Sequence, residues 1–146
     1  MHMRMSRLIA AAAFVAGACL LPARASAQGF KVIANNDVAT AELPAATVSN
    51  LFLKKDRKYP GGGEATPLDL PASSPVRESF SKAIHGRATS AVVTYWQQQV
   101  FSGKDTPPPS KATDDAMVAF VKSTPGAIGY VSEGASVDGV KVVKIK

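Results

Sequence analysis

Between Phe30 and Ile145 the apolar residues follow two rhythms, short continuous runs and stripes three or four positions apart, and these alternate along the chain. Phe30 to Ala34 is a short apolar run entering the polar turn Asn35-Asn36-Asp37, the pattern of a strand and its turn. Val48, Leu51 and Phe52 fall at helical spacing between Pro44 and Leu53, which predicts an amphipathic helix. Thr66 to Leu70 reads as a second strand, and Val76, Phe80 and Ile84, each four apart, predict a helix that Gly86 ends. Val92, Val93, Trp96 and Val100 share one stripe of a helix over Ser90–Val100, with Trp96 as a core anchor. Ser102 to Ser110 contains Pro107-Pro108-Pro109, which rules out regular structure and predicts an extended surface connection. Thr113 caps a further helix with Met117, Phe120 and Val121 on its buried face and Pro125-Gly126 as its stop. Ala127–Val131 then reads as a buried strand and Val140–Ile145 as a partly exposed one. The order β-α-β-α-α-α-β-β predicts an α/β fold in which helices pack on a small mixed sheet.

The junction from Pro67 to Phe80 carries the most chemistry. Ser74 is a good N-cap, Pro75 suits the first helical position and Glu78 falls in the first turn, so the helix start is locally well specified. Unpaired amides, the positive end of the helix dipole, the Ser73 and Ser74 hydroxyls and the Arg77 guanidinium could then converge on a small anion. The alternative is purely structural, an ordinary Ser-Pro helix start with Arg77 on a solvated face. Asn35 and Asn36 are further candidates to line the site, against a plain turn role.

Composition narrows the setting. Arg4 and Arg7, the apolar stretch Leu8–Leu21 and the Ala25-Ser26-Ala27 triplet read as a secretory signal peptide over residues 1–27, leaving one domain over 28–146. Cys19, in Ala16-Gly17-Ala18-Cys19, leaves open a lipoprotein-type processing site. The formal charge of +6 drops by three when Arg4, Arg7 and Arg24 leave with that segment, which is no nucleic-acid footprint. Cys19 is the only cysteine, so the domain has neither disulfides nor thiolate ligands, and a periplasmic location follows from the leader.

Catalytic and metal chemistry find little support. The domain holds His85 alone, too few ligands for zinc, and no cofactor motif. There is no Gly-x-Ser-x-Gly elbow, and Tyr59-Pro60-Gly61-Gly62-Gly63 is not followed by the Gly-Lys-Ser/Thr of a P-loop. Asp114 and Asp115 read as dipole-matched charges and Lys54–Lys58 as a solvated run. No catalytic residues are assigned, and the domain is read as non-enzymatic.

Four stretches together resemble the periplasmic phosphate-binding proteins of ABC transporters, and more closely the short standalone members of that superfamily. They are Leu43–Lys54, Pro67–Phe80, Tyr95-Trp96 with Val100–Lys104, and Thr124-Pro125-Gly126-Ala127-Ile128-Gly129-Tyr130-Val131, the most specific of the four. The resemblance covers nearly the whole of residues 28–146 and implies one lobe of a type II periplasmic binding protein-like fold. It implies phosphate or a similar small oxyanion as ligand, and because a lone lobe leaves its anion exposed on one side, tight capture calls for a second wall from a transporter permease, another protein or a second copy. The anion loop of the large relatives, roughly Arg-x-x-Gly-Ser-Gly-Thr-Arg, aligns its serine with Ser74 and its last arginine with Arg77. Leu70 stands at its first arginine, Ser73 and Pro75 at its glycines, and Val76 at its threonine. Pro75 also lacks the N–H that a glycine would donate. A rival reading is an interaction module that kept the lobe, lost the transport substrate, and docks on a periplasmic or membrane partner.

Overall fold

The computed structural model describes residues 29–146, so the expected signal peptide and Cys19 lie outside the described residues. The elements are β1 (Phe30–Ala34), β2 (Glu42–Leu43), α1 (Ala45–Phe52), β3 (Thr66–Pro67), α2 (Pro75–Phe80), α3 (Thr89–Phe101), α4 (Asp114–Ser123), β4 (Ala127–Ser132) and β5 (Lys141–Ile145). A π-helical turn, Ser81–His85, continues α2 and closes at Gly86, whose φ of 66° is left-handed as a C-cap glycine allows. The expected elements are present, with two differences. The short strand β2 is additional, and β3 stops at Pro67: Leu68 N–H still donates to Ile128 on β4, but Asp69 N–H turns to the Pro109 carbonyl.

The five strands form one mixed sheet in the order β2-β5-β1-β4-β3. β1 runs antiparallel to both β4 and β5, whereas β2 is parallel to β5 and β3 is parallel to β4. Successive residues of a strand point to opposite faces, and β4 shows what each face receives. Tyr130 points to the face where α1 and α2 lie: the Phe80 ring stacks on it at 3.8 Å, with Phe52 tilted at 5.8 Å and Phe30 edge-on at 6.5 Å. Gly129 points to the other face, where a Cβ would sit 2.5 Å from the Met117 sulfur, so α4 packs directly on the strand. Helices therefore cover both faces and the core is continuous through the sheet.

The Thr-Pro-Gly-Ala-Ile-Gly-Tyr-Val run thus has two physical requirements. Gly126 holds a φ of 74°, and a Cβ there would clash with the Glu64 carbonyl oxygen. Gly129 makes room for Met117. Replacing Gly126 by alanine should cost about 2 kcal/mol or more, from the left-handed penalty plus the backbone clash. Urea denaturation of Gly126→Ala checks this, and an unchanged midpoint would remove the steric account.

Candidate functional site

The β3–α2 junction is built as its sequence predicts, but Arg77 is used differently. The Ser74 Oγ accepts the Arg77 N–H at 3.3 Å and caps α2, with Pro75 in the first turn. The Arg77 side chain turns back beneath its own helix. Its Nη1 donates to the Leu70 carbonyl at 3.0 Å and its Nη2 meets Asp69 Oδ2 at 3.2 Å. Asp69 is only 7% exposed and Arg77 9%, so this ion pair is buried. The Asp69 Oδ1 accepts the Leu70 N–H at 2.9 Å and a short hydrogen bond from the Tyr130 hydroxyl. Burial pushes the Asp69 carboxyl up, against the opposing pull of Arg77, the Tyr130 hydroxyl and the Leu70 amide. The same burial, reinforced by the Asp69 charge, pushes the Tyr130 hydroxyl far up, so it stays protonated as the donor.

Ser73 and Ser74 stand apart from that guanidinium. They line an open cavity of about 420 Å³ between the starts of α2 and α4, with Val76, Thr113, Asp114 and Ser132. Ser74 N–H is taken by the Pro71 carbonyl at 2.9 Å, while neither Ser73 N–H nor Val76 N–H has a partner among the described residues. Thr113 caps α4 by accepting the Ala116 N–H at 3.1 Å, and the Asp114 Oδ1 accepts the Ser132 N–H at 3.2 Å. The cavity therefore has hydroxyls, two unpaired amides, two helix starts and one carboxylate. Arg77 does not line it.

Asn35 and Asn36 are not brought to this cavity. They follow the far end of β1, whose first residue, Phe30, pairs with Ser132, so the length of the strand, about 16 Å, separates them from it. The Asn35 Nδ2 donates to the Val121 and Lys122 carbonyls at 2.8 and 3.1 Å, closing the end of α4, and its Oδ1 accepts the Asp37 N–H at 3.0 Å. The Asn36 Nδ2 donates to the Gly139 carbonyl at 3.1 Å. Both side chains hold turns together, the plain role open to them from the sequence.

Sequence reasoning missed Asp69, Thr113, Asp114 and Ser132 as neighbours of the junction. Asp69 carried a signal: a carboxylate within the apolar run Pro67-Leu68-Asp69-Leu70 needs a partner, and Arg77 follows within reach. The charge run after α1 is solvated from Lys55 to Lys58, as expected, while Lys54 is half-buried; Lys54 and Arg57 both meet Asp105, at 3.6 and 2.6 Å. His85 is half-buried, bonded through Nδ1 to Ser49 Oγ at 2.8 Å and edge-on to Phe80 at 5.5 Å. Burial, then the charges of Arg87, Arg77 and Lys55, lowers its pKa to about 4, so it is neutral at neutral pH. No group of three or more His, Cys, Asp or Glu side chains is placed to hold a metal ion among the described residues.

No protein-family model matches this chain, and no curated protein matches it in sequence. Solved structures do match its fold. An ABC-type phosphate transport receptor from Vibrio cholerae aligns with a TM-score of 0.63 at 14% identity, over 80% of this chain and 46% of its own. A protein from Clostridium perfringens, assigned as a phosphate ABC transporter substrate-binding protein and solved with bound phosphate, aligns at 0.60 and 17%, over 80% and 44%. PstS from Borrelia burgdorferi aligns at 0.56 and 7%, over 81% and 47%. The mixed five-stranded sheet with its helices has the fold of one lobe of a PstS-type periplasmic binding protein. The chain spans less than half the length of these proteins.

Two measurements check the site as described. Arg77→Met should destabilise the fold by about 3–5 kcal/mol, because it leaves Asp69 buried and uncompensated. Adding Asp69→Asn should recover part of that loss, and strict additivity in a double-mutant cycle would argue against the pair. At His85 the unfolded chain takes up a proton below about 6.5 and the folded chain only near 4. Stability should therefore fall as pH drops from 6.5 towards 4, by at most about 3 kcal/mol, and level off below. The stability difference between the natural chain and His85→Gln, from urea denaturation at pH 7, 5 and 4, should shrink by that amount. A constant difference would contradict the burial.

Proposed function

We propose that this chain is a single-lobe, periplasmic solute-binding unit of the phosphate type, taking a small oxyanion where α2 and α4 begin. One observation carries the reading: two helix starts open on one cavity beside the Ser73 and Ser74 hydroxyls and the unpaired N–H groups of Ser73 and Val76. The fold likeness to the phosphate-bound Clostridium protein supports the ligand class. Asp114 refines it. A carboxylate lining an anion site repels a fully ionised guest but accepts a hydrogen bond from a protonated one, so hydrogen phosphate suits the cavity better than sulfate.

Affinity from one lobe alone is low. Arg77 is engaged by Asp69, so the cavity offers neutral donors, and a few exposed contacts give roughly millimolar binding. Tight capture requires a second wall, from a transporter permease or another copy of the chain. Residues 1–27, read as a signal peptide, would deliver the domain to the periplasm.

The engagement of Arg77 also favours a second reading, a lobe that docks on a periplasmic or membrane partner with no transport substrate. Amide NMR titration of the domain separates the two. Phosphate should shift Ser73 and Val76 at millimolar concentration, sulfate should shift them less, and Ser73→Ala with Ser74→Ala should weaken the response about tenfold. No phosphate-dependent shift at these amides up to tens of millimolar would sink the oxyanion reading and leave the docking one.

A further inference from the structure

A second cavity beside the β3–α2 junction, lined by Asp69 and Arg77 among others, shares no residue with the first. One wall is the last two turns of α3, with Val93, Trp96, Val100 and Phe101; the other is Pro107 and Pro108. Its volume is about 490 Å³, within the range of small-molecule sites, which are mostly apolar with a few placed polar groups. The proline wall is held in position, since Asp69 N–H donates to the Pro109 carbonyl and Lys111 N–H to the Asp69 carbonyl, each at 2.9 Å. Trp96 is buried against Leu53 and Val92, whereas Val100 is 51% and Phe101 95% exposed, so the outer part of the apolar stripe has no cover from its own chain.

Charge selects what fits. Arg77 lines the cavity and is nine-tenths buried; Nη1 and Nη2 each make one bond, to Leu70 and Asp69, and each keeps a second N–H, while Nε–H is sealed from solvent without a partner among the described residues. The second N–H groups of this half-used guanidinium call for an acceptor, because a buried donor left unmade costs more than a typical bond returns. The acceptor has to be neutral: Asp69 already balances the guanidinium, and a second carboxylate beside it would be buried next to a like charge.

We propose that this cavity is a ligand site for a neutral, apolar molecule bearing one carbonyl group, its body between Trp96 and the prolines and its oxygen towards Arg77. The site is independent of the oxyanion cavity and needs no second wall, because α3 and the proline segment already face each other.

A matched pair of probes tests it, 2-acetylnaphthalene and 2-ethylnaphthalene, which differ in the carbonyl. Trp96 is the only tryptophan of the chain, so its indole N–H resonance reports directly on the cavity. The acetyl compound should shift that resonance and the Val93 and Val100 amides, and bind about fivefold more tightly than the ethyl compound, the worth of one neutral hydrogen bond. Val100→Asp, a change at a half-exposed position that leaves the core intact, should weaken both probes at least tenfold while leaving the phosphate response at Ser73 unchanged. Equal binding of the two probes would overturn the carbonyl specificity, and no Trp96 shift with either would overturn the site. Concentration-dependent self-association that displaces the probes would also overturn it, by making a second copy the occupant.

Discussion

A carboxylate buried where a strand becomes a helix governs the architecture of this domain. Asp69 sits almost entirely out of water and must be satisfied on every side, by the Arg77 guanidinium, the Leu70 amide and the Tyr130 hydroxyl. Meeting that demand orients Tyr130, which in turn presents its ring to Phe80 and, at greater distance, to Phe52 and Phe30. The polar network and the aromatic cluster are thus one structure. Its cost is functional, because the cation best placed to bind an anion at the loop is spent on the interior.

The same pair divides the junction into two unlike cavities. On the side of Ser73, Ser74 and Thr113 the surface is polar and edged by helix starts, and it suits a small hydrated guest. On the side of Trp96 and the prolines it is apolar, with Asp69 and Arg77 supplying its charged groups. A domain with less than half the length of the transport receptors that share its fold still presents two chemically distinct concave surfaces, neither of which borrows residues from the other.

Most of the fold was legible because its signals are local. Ser74-Pro75, Thr113-Asp114 and Gly86 fix helix ends through capping and the left-handed backbone, which depend on nearby residues alone. The continuous apolar run of β4 is equally readable, and Gly129 marks the close approach of α4. The failures at the site lie in which groups meet in space. Arg77 carries no mark of its own that distinguishes a buried partner of Asp69 from a ligand of the loop, since both need a guanidinium at a helix start; the hint lay in Asp69, a carboxylate within an apolar run. Asn35 reads the same whether it holds a guest or closes α4, and only the antiparallel pairing of β1 with β4 puts it at the wrong end. Val93 and Val100 continue the stripe of Trp96 in sequence, but α3 runs past the edge of the core, and periodicity does not tell where a core stops.

The borders of the sheet decide whether such a lobe can live alone in solution. Each outermost strand is two residues long. On one border Thr66 and Leu68 donate inward to Gly126 and Ile128, so the backbone position turned outward between them belongs to Pro67, which has no N–H to offer. Just beyond, the outward amide of Asp69 is claimed by Pro109, in a bridge that sets Ser110 alongside. A free polypeptide in extended form finds almost no template there to lengthen the sheet, so an isolated half-sized lobe resists the stacking into fibrils that a longer bare margin would invite.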